Sequence, residues 1–156
     1  MKKLFLVLLF VPLVSFGQSQ IVNGIEINAP KGFVKTGDLN WSDGNDKVFI
    51  QYVKGNLAND LEVFKDWCSK GTRTTKYVDF LEDEVQINGK TYPVCMQIGD
   101  NDLFMSMVFV SRDGYTYTIY SGTYIGDYEE SEIDQGKHIE RVGYITGYMI
   151  NRINLF

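Results

Sequence analysis

The stretch Tyr77–Ile98, YVDFLEDEVQINGKTYPVCMQI, decides the fold. Asn88-Gly89 at its centre is a two-residue hairpin signal, because a type I′ turn needs positive φ at both central residues and this pair adopts it at least cost. Apolar and polar residues alternate on both sides, which is the period of a strand buried on one face. Counting outward from the turn sets Ile87 against Lys90, Val85 against Tyr92, Asp83 against Val94 and Leu81 against Met96. Leu81, Val85, Tyr92, Val94 and Met96 therefore share one face. Cys95 points to the other, with Phe80 and Glu82.

A second hairpin follows. Asp113-Gly114 joins Leu103–Ser111 to Tyr115–Tyr124, pairing Val108 with Ile119, Val110 with Tyr117 and, on the opposite face, Met107 with Tyr120. Both faces of this hairpin are apolar, so both are expected to be covered. Upstream, Ile21, Ile25 and Ile27 alternate as a short strand that breaks at Asn28-Ala29-Pro30-Lys31-Gly32, and Phe33-Val34-Lys35 restarts it. Residues 38–46 read as a polar loop around Trp41, and Lys47–Lys54 (KVFIQYVK) as a half-buried strand.

Two stretches carry the helical period. Leu61, Phe64 and Cys68, with Trp67 beside them, predict a helix over Leu57–Lys70 ended by Gly71. From Tyr128 onward, Ile133, Ile139, Val142, Thr146, Met149, Ile150 and Ile153 form the stripe of a second helix reaching about Asn154. Glu129, Glu130, Glu132 and Asp134 at its start, with Arg141 and Arg152 later, suit the helix dipole. Gly136, Gly143 and Gly147 cost helix propensity, which predicts a close approach of this helix to the sheet. The expected architecture is α+β: an antiparallel sheet of about six to seven strands built from hairpins, with one short helix and a long C-terminal helix packed on it.

The N-terminus supplies an address. Lys2 and Lys3 precede an apolar run from Leu4 to Phe16, with small residues Ser15 and Gly17 at the positions a signal peptidase reads. The run is shorter than the roughly 20 apolar residues of a permanent span. Residues 1–17 read as a cleaved signal peptide and residues 18–156 as a single domain. The mature chain then has 139 residues and a net charge of −7, from 13 basic against 20 acidic side chains. An acidic surface disfavours nucleic acid and anionic lipid. The mature chain has no second long apolar segment, so it is not expected to be embedded in a membrane, and its address is periplasmic or extracellular.

Cys68 and Cys95 are the only cysteines. In an oxidising compartment they either close a disulfide, worth about 3 kcal/mol in the chain-entropy model, or serve as two small buried hydrophobes. A helix packed on the Val94 face would not offer Cys68 to Cys95, which weighs against the bridge.

The chemistry-bearing residues are sparse. His138 is the only histidine, so nucleophilic catalysis with a neutral-pH base would have to use it, and its polar surroundings read as surface. One histidine and two separated cysteines do not make a zinc site, and no metal or cofactor is expected. Residues 38–46 resemble a fragment of a calcium loop, with Asp38, Asn40 and Ser42 at alternate positions, but Gly44 falls one place late and Phe49 stands where a bidentate Glu is needed. Asp100 and Asp102 suit a connecting turn. Glu82 and Glu84 share one face of a strand, either as a carboxylate pair for acid–base hydrolysis or as charge guarding a sheet edge, the favoured reading. The tyrosines are the feature that points to binding. Tyr120, Tyr124 and Tyr128 run through the last strand and its exit, and Tyr144 and Tyr148 sit a turn apart on the final helix, off its apolar stripe.

The phrase Ile27-Asn28-Ala29-Pro30-Lys31-Gly32-Phe33 resembles the strand, Pro, x-Gly-aromatic opening of the PsbP-like superfamily. The Trp41 loop, the Leu61-to-Cys68 helix, the run of hairpins and the long last helix follow in that superfamily's order, through DcrB-like and LpqN-like exported α+β domains. The resemblance implies a binding or accessory role and supplies no catalytic residues. Together these readings predict an exported non-catalytic binding or accessory domain of the bacterial cell envelope, acting on a protein partner or small ligand. A small hydrolase using a carboxylate pair and a structural assembly subunit are the alternatives.

Overall fold

The computed structural model describes residues 19–72, 81–98, 103–125 and 135–154. The signal stretch, Tyr128, Asp100, Asp102 and the acidic residues expected at the start of the last helix lie outside them. From the N-terminus, β1 (Ser19–Val22) and β2 (Ile25–Asn28) form a two-stranded ribbon. Then come β3 (Val34–Gly37), β4 (Asn40–Ser42), β5 (Asp46–Lys54), α1 (Leu61–Thr72), β6 (Leu81–Ile87), β7 (Lys90–Ile98), β8 (Leu103–Arg112), β9 (Tyr115–Tyr124) and α2 (Gln135–Asn154). Strands β3 to β9 make one antiparallel sheet in the order β3-β4-β5-β9-β8-β7-β6. The protein is thus α+β, as the patterning predicts.

Both central hairpins keep their predicted registers, including Val85 with Tyr92 and Val108 with Ile119. Their turns hold positive φ at both residues, 51° and 76° at Asn88-Gly89 and 51° and 78° at Asp113-Gly114. Asn23-Gly24 does the same, at 50° and 78°, so the stretch read as one N-terminal strand is a third hairpin. Trp41 also departs from expectation. It is fully buried on β4, paired with Val48 and Lys35, so the polar loop contains an inward-facing strand residue.

The sheet is the middle of three layers. The larger core lies on the Val94, Val108 and Ile119 face, where α2 brings Val142, Ile145, Met149, Ile150 and Ile153, and the ribbon adds Ile25 and Ile27. The smaller core lies on the other face, where Phe64 and Cys68 of α1 meet Cys95, Met107 and Phe109. Phe64 and Trp67 both stand edge-on to Phe109, at 5.1 and 5.6 Å. Since α1 occupies the Cys95 face and not the Val94 face, the geometric objection to a bridge disappears. Cys68 and Cys95 are joined as a disulfide with their Cα atoms 6.2 Å apart, inside the usual range of about 4.4–6.8 Å.

Two further expectations change. Helix α1 begins at Leu61 because the amides of Leu57 and Ala58 are already held by Thr116 Oγ1 (2.7 Å) and Ser111 Oγ (3.4 Å) on the sheet, and Asp60 caps the helix through the Val63 amide. The glycines of α2 do not mark a tight approach at the described positions. A Cβ at Gly143 would meet nothing within 4 Å, and one at Gly147 would lie 3.5 Å from Ile87, an ordinary contact.

Candidate functional site

Asp46 opens β5 on the side that continues inward as Val48 and Ile50, and only 1% of it is exposed. A carboxylate so placed needs a charged, hydrogen-bonded partner. Arg141 of α2 supplies it, donating from Nε and Nη2 to Asp46 Oδ2, with Nη2 also 3.4 Å from Asp43 Oδ2. The hydrogen bond to Asp46 raises the pKa of Arg141 above its ordinary value. Partial burial works the other way, and the charges of Asp46 and Asp43 reinforce the rise.

The loop bearing these carboxylates is itself tied down. Asp43 Oδ1 accepts the amides of Asn45 (3.0 Å) and Asp46 (2.7 Å), and Ser42 Oγ donates to the Asp46 carbonyl at 2.7 Å. Asn45 Nδ2 donates to Thr123 Oγ1 and Asp46 Oδ1, both at 3.1 Å. Lys47 Nζ meets the Tyr124 hydroxyl at 2.7 Å and lies 4.8 Å from the centre of that ring. The carboxylates of the calcium-like fragment are therefore committed to protein partners: Asp38 Oδ1 accepts from Gln20 Nε2, and Asp43 and Asp46 face Arg141.

Between this loop, the end of β9 and the first described turns of α2 lies a cleft of about 540 Å³. Asn45, Thr123 and Tyr124 form one wall, and Lys137, His138, Glu140, Arg141 and Tyr144 the other. Its volume is in the range of small-molecule sites, about 300–1,000 Å³. Half of the Arg141 side chain remains exposed there, at 46%. The fork has five donors, and Nη1 takes no partner among the described residues.

The tyrosines singled out from the sequence separate into different environments. Tyr124 and Tyr144 both line the cleft, where Tyr144 is 59% exposed. Tyr148 is half-buried one turn on: its hydroxyl donates to the Ala29 carbonyl at 3.2 Å and Arg152 lies 5.1 Å over its ring. It fastens α2 to the segment after the ribbon and does not extend a patch from Tyr144. Tyr120 faces the α1 side of the sheet, stacked on Phe49 at 4.3 Å, and burial raises its pKa.

His138 is half-buried at the cleft, with its ring 6.2 Å from that of Phe104. Glu84 is exposed on β6, the edge strand, and the side chain of Glu82 lies outside the described residues. Among the described residues no group of three or more His, Cys, Asp and Glu side chains is placed to hold a metal ion. No helix among them is long and apolar enough to cross a membrane.

Sequence reasoning missed the Arg141–Asp46 pair and the cleft it frames. The signal was present: Asp46 holds an inward position of an alternating strand, and Arg141 adjoins the apolar stripe of α2, so each needed a partner from the other side of the core.

No protein-family model and no curated protein matches the chain. Among solved structures it is similar to the solution structure of cyanobacterial PsbP (CyanoP) from Synechocystis sp. PCC 6803. The identity is 14%, with 85% of this chain and 92% of that chain covered and a TM-score of 0.49. No residue role is carried over from that likeness.

Proposed function

We propose that this chain is an exported, non-catalytic binding or accessory domain of the bacterial cell envelope, and that its ligand site is the cleft between α2, β9 and the Asp43–Asp46 loop. Residues 1–17 are its cleaved signal and residues 18–156 its single domain, related in kind to the DcrB-like and LpqN-like members of the PsbP-like superfamily. The observation that carries the reading is the cleft. A buried ion pair and a web of loop hydrogen bonds hold its walls, while an exposed tyrosine and part of an arginine are left facing the opening. The disulfide agrees with an oxidising compartment, and the N-terminal pattern with export.

Native mass spectrometry of the protein from its own cells, without refolding, tests this. The expected spectrum shows a chain beginning at Gln18 that carries an added small-molecule mass, and Tyr144→Ser loses that mass without losing thermal stability. An uncut N-terminus sinks the export reading. A co-purifying mass retained equally by Tyr144→Ser sinks the cleft as its site.

A further inference from the structure

The back of Arg141 is fully engaged. Nε and Nη2 are turned to Asp46 and Asp43, and those carboxylates are fixed in turn by the amides of Asn45 and Asp46 and by Asn45 Nδ2. Arginine held this way loses little further side-chain freedom when its remaining N–H groups meet a ligand. Arg141 lines the cleft beside an exposed tyrosine ring and a second ring backed by the Lys47 ammonium. Nη1 keeps two N–H donors for an oxygen of a carboxylate, and the rings on the two walls offer apolar faces beside it.

We propose that the cleft takes a small organic carboxylate with an aromatic body. The carboxylate lies on Nη1 of Arg141, and the body lies between Tyr144 and Tyr124. This rests on the reading of the cleft as the ligand site. Asp43 and Asp46 together outweigh the single charge of the arginine, so recognition depends on the direction of the Nη1 N–H groups and not on long-range attraction. Glu140, also on the wall, is exposed, where water and salt screen its repulsion.

The probe pair is 3-phenylpropionate and its uncharged amide, 3-phenylpropanamide, titrated into the folded wild-type domain by calorimetry and backbone-amide NMR. The acid is expected to shift the signals of Tyr124, Arg141 and Tyr144 and to bind about tenfold or more tighter than the amide, the worth of a charge-assisted hydrogen bond. Arg141→Lys, which keeps the charge but has one nitrogen and so cannot hold Asp46 and present a second donor nitrogen to the ligand, should abolish most of that preference, with its folding checked by thermal unfolding. Tyr144→Ala, at an exposed position, should weaken acid and amide alike. Equal affinity for acid and amide with shifts at the cleft overturns the carboxylate assignment and leaves the cleft as a binding site. Acid preference unchanged in Arg141→Lys, or no cleft shifts with either probe, also overturns the carboxylate assignment, and the co-purified mass then judges the cleft separately.

Discussion

Breaking the Cys68–Cys95 bridge is expected to lower the stability of the domain by about 3.5 kcal/mol. The bridge spans 27 residues. Closing a loop of that length removes roughly 12 cal/mol/K from the unfolded chain in the chain-entropy model, about 3.5 kcal/mol at 25 °C. The bridge also seats α1, since Cys68 is buried beside Phe64 and the Phe64 and Trp67 contacts with Phe109 depend on that placement. With a urea m-value of about 2 kcal/mol/M, the midpoint should fall by roughly 1.8 M. The assay is urea unfolding of the oxidised chain, the reduced chain and Cys68→Ala/Cys95→Ala, followed by tryptophan fluorescence. Trp41 lies in the α2 core and Trp67 against the α1 core, so single-tryptophan variants separate global unfolding from release of α1 alone. Coincident midpoints for oxidised and reduced chains, or an intact mass that reductant leaves unchanged, would refute the reasoning.

Gly143→Ala should stabilise the protein by about 0.8–1.0 kcal/mol, because the added methyl meets nothing within 4 Å and alanine is the better helix former; a differential scan should show Tm rising by about 3 °C. Arg141→Ala should cost about 3 kcal/mol by leaving the buried Asp46 carboxylate without its cation. Asp46→Asn should cost less than half of that, since Arg141 can turn to solvent, and a reversed order in denaturant titrations would be evidence against the pair as drawn. Burial raises the Tyr120 pKa above 10.0, so the unfolded chain ionises first. Its contribution is complete below pH 10 and is lost as pH climbs toward the raised native value. Tyr120→Phe should flatten that part of an alkaline stability profile.

What was legible in the sequence was local. Asn88-Gly89 and Asp113-Gly114 set their hairpins, and the alternation on either side was enough to place every described pair in register. Asn23-Gly24 carries the same turn signal, but its flanking strands are only four residues each, so alternation around it is short. The helical period placed Val142, Thr146, Met149, Ile150 and Ile153 on the buried side of α2 but left out Ile145, which is fully buried among them. Periodicity names the apolar side of a helix but not which sheet face receives it, and that missing fact made the Cys68–Cys95 contact undecidable. The cleft was illegible for the same reason. Its parts come from β5, β9 and α2, with Asp46 and Arg141 separated by 95 positions in the chain, and only the packing of α2 brings them together.

The α2 face of the β8–β9 hairpin changes character along its length. From the turn outward its cross-strand pairs are Val110–Tyr117, Val108–Ile119, Ser106–Ser121 and Phe104–Thr123, so hydroxyls replace apolar groups toward the cleft. Ser106 Oγ and Thr146 Oγ1 share a buried hydrogen bond of 2.7 Å, and Ser121 Oγ is buried with no partner among the described residues. Hydrophobic packing does not explain this end of the core. Replacing both members of a buried hydrogen bond with apolar groups of like shape is nearly neutral or stabilising, whereas removing one leaves the other unpaired at about 1–3 kcal/mol. Thr146→Val alone should therefore destabilise the domain by about 1–2 kcal/mol, and Ser106→Ala/Thr146→Val should recover most of that loss. A double variant that loses as much as its singles combined would mean that the hydroxyl layer contributes to stability in its own right. Recovery would mean that stability does not account for the polar layer. The layer adjoins the Asp46–Thr123 pair, which holds Arg141 and Asn45 at the cleft wall.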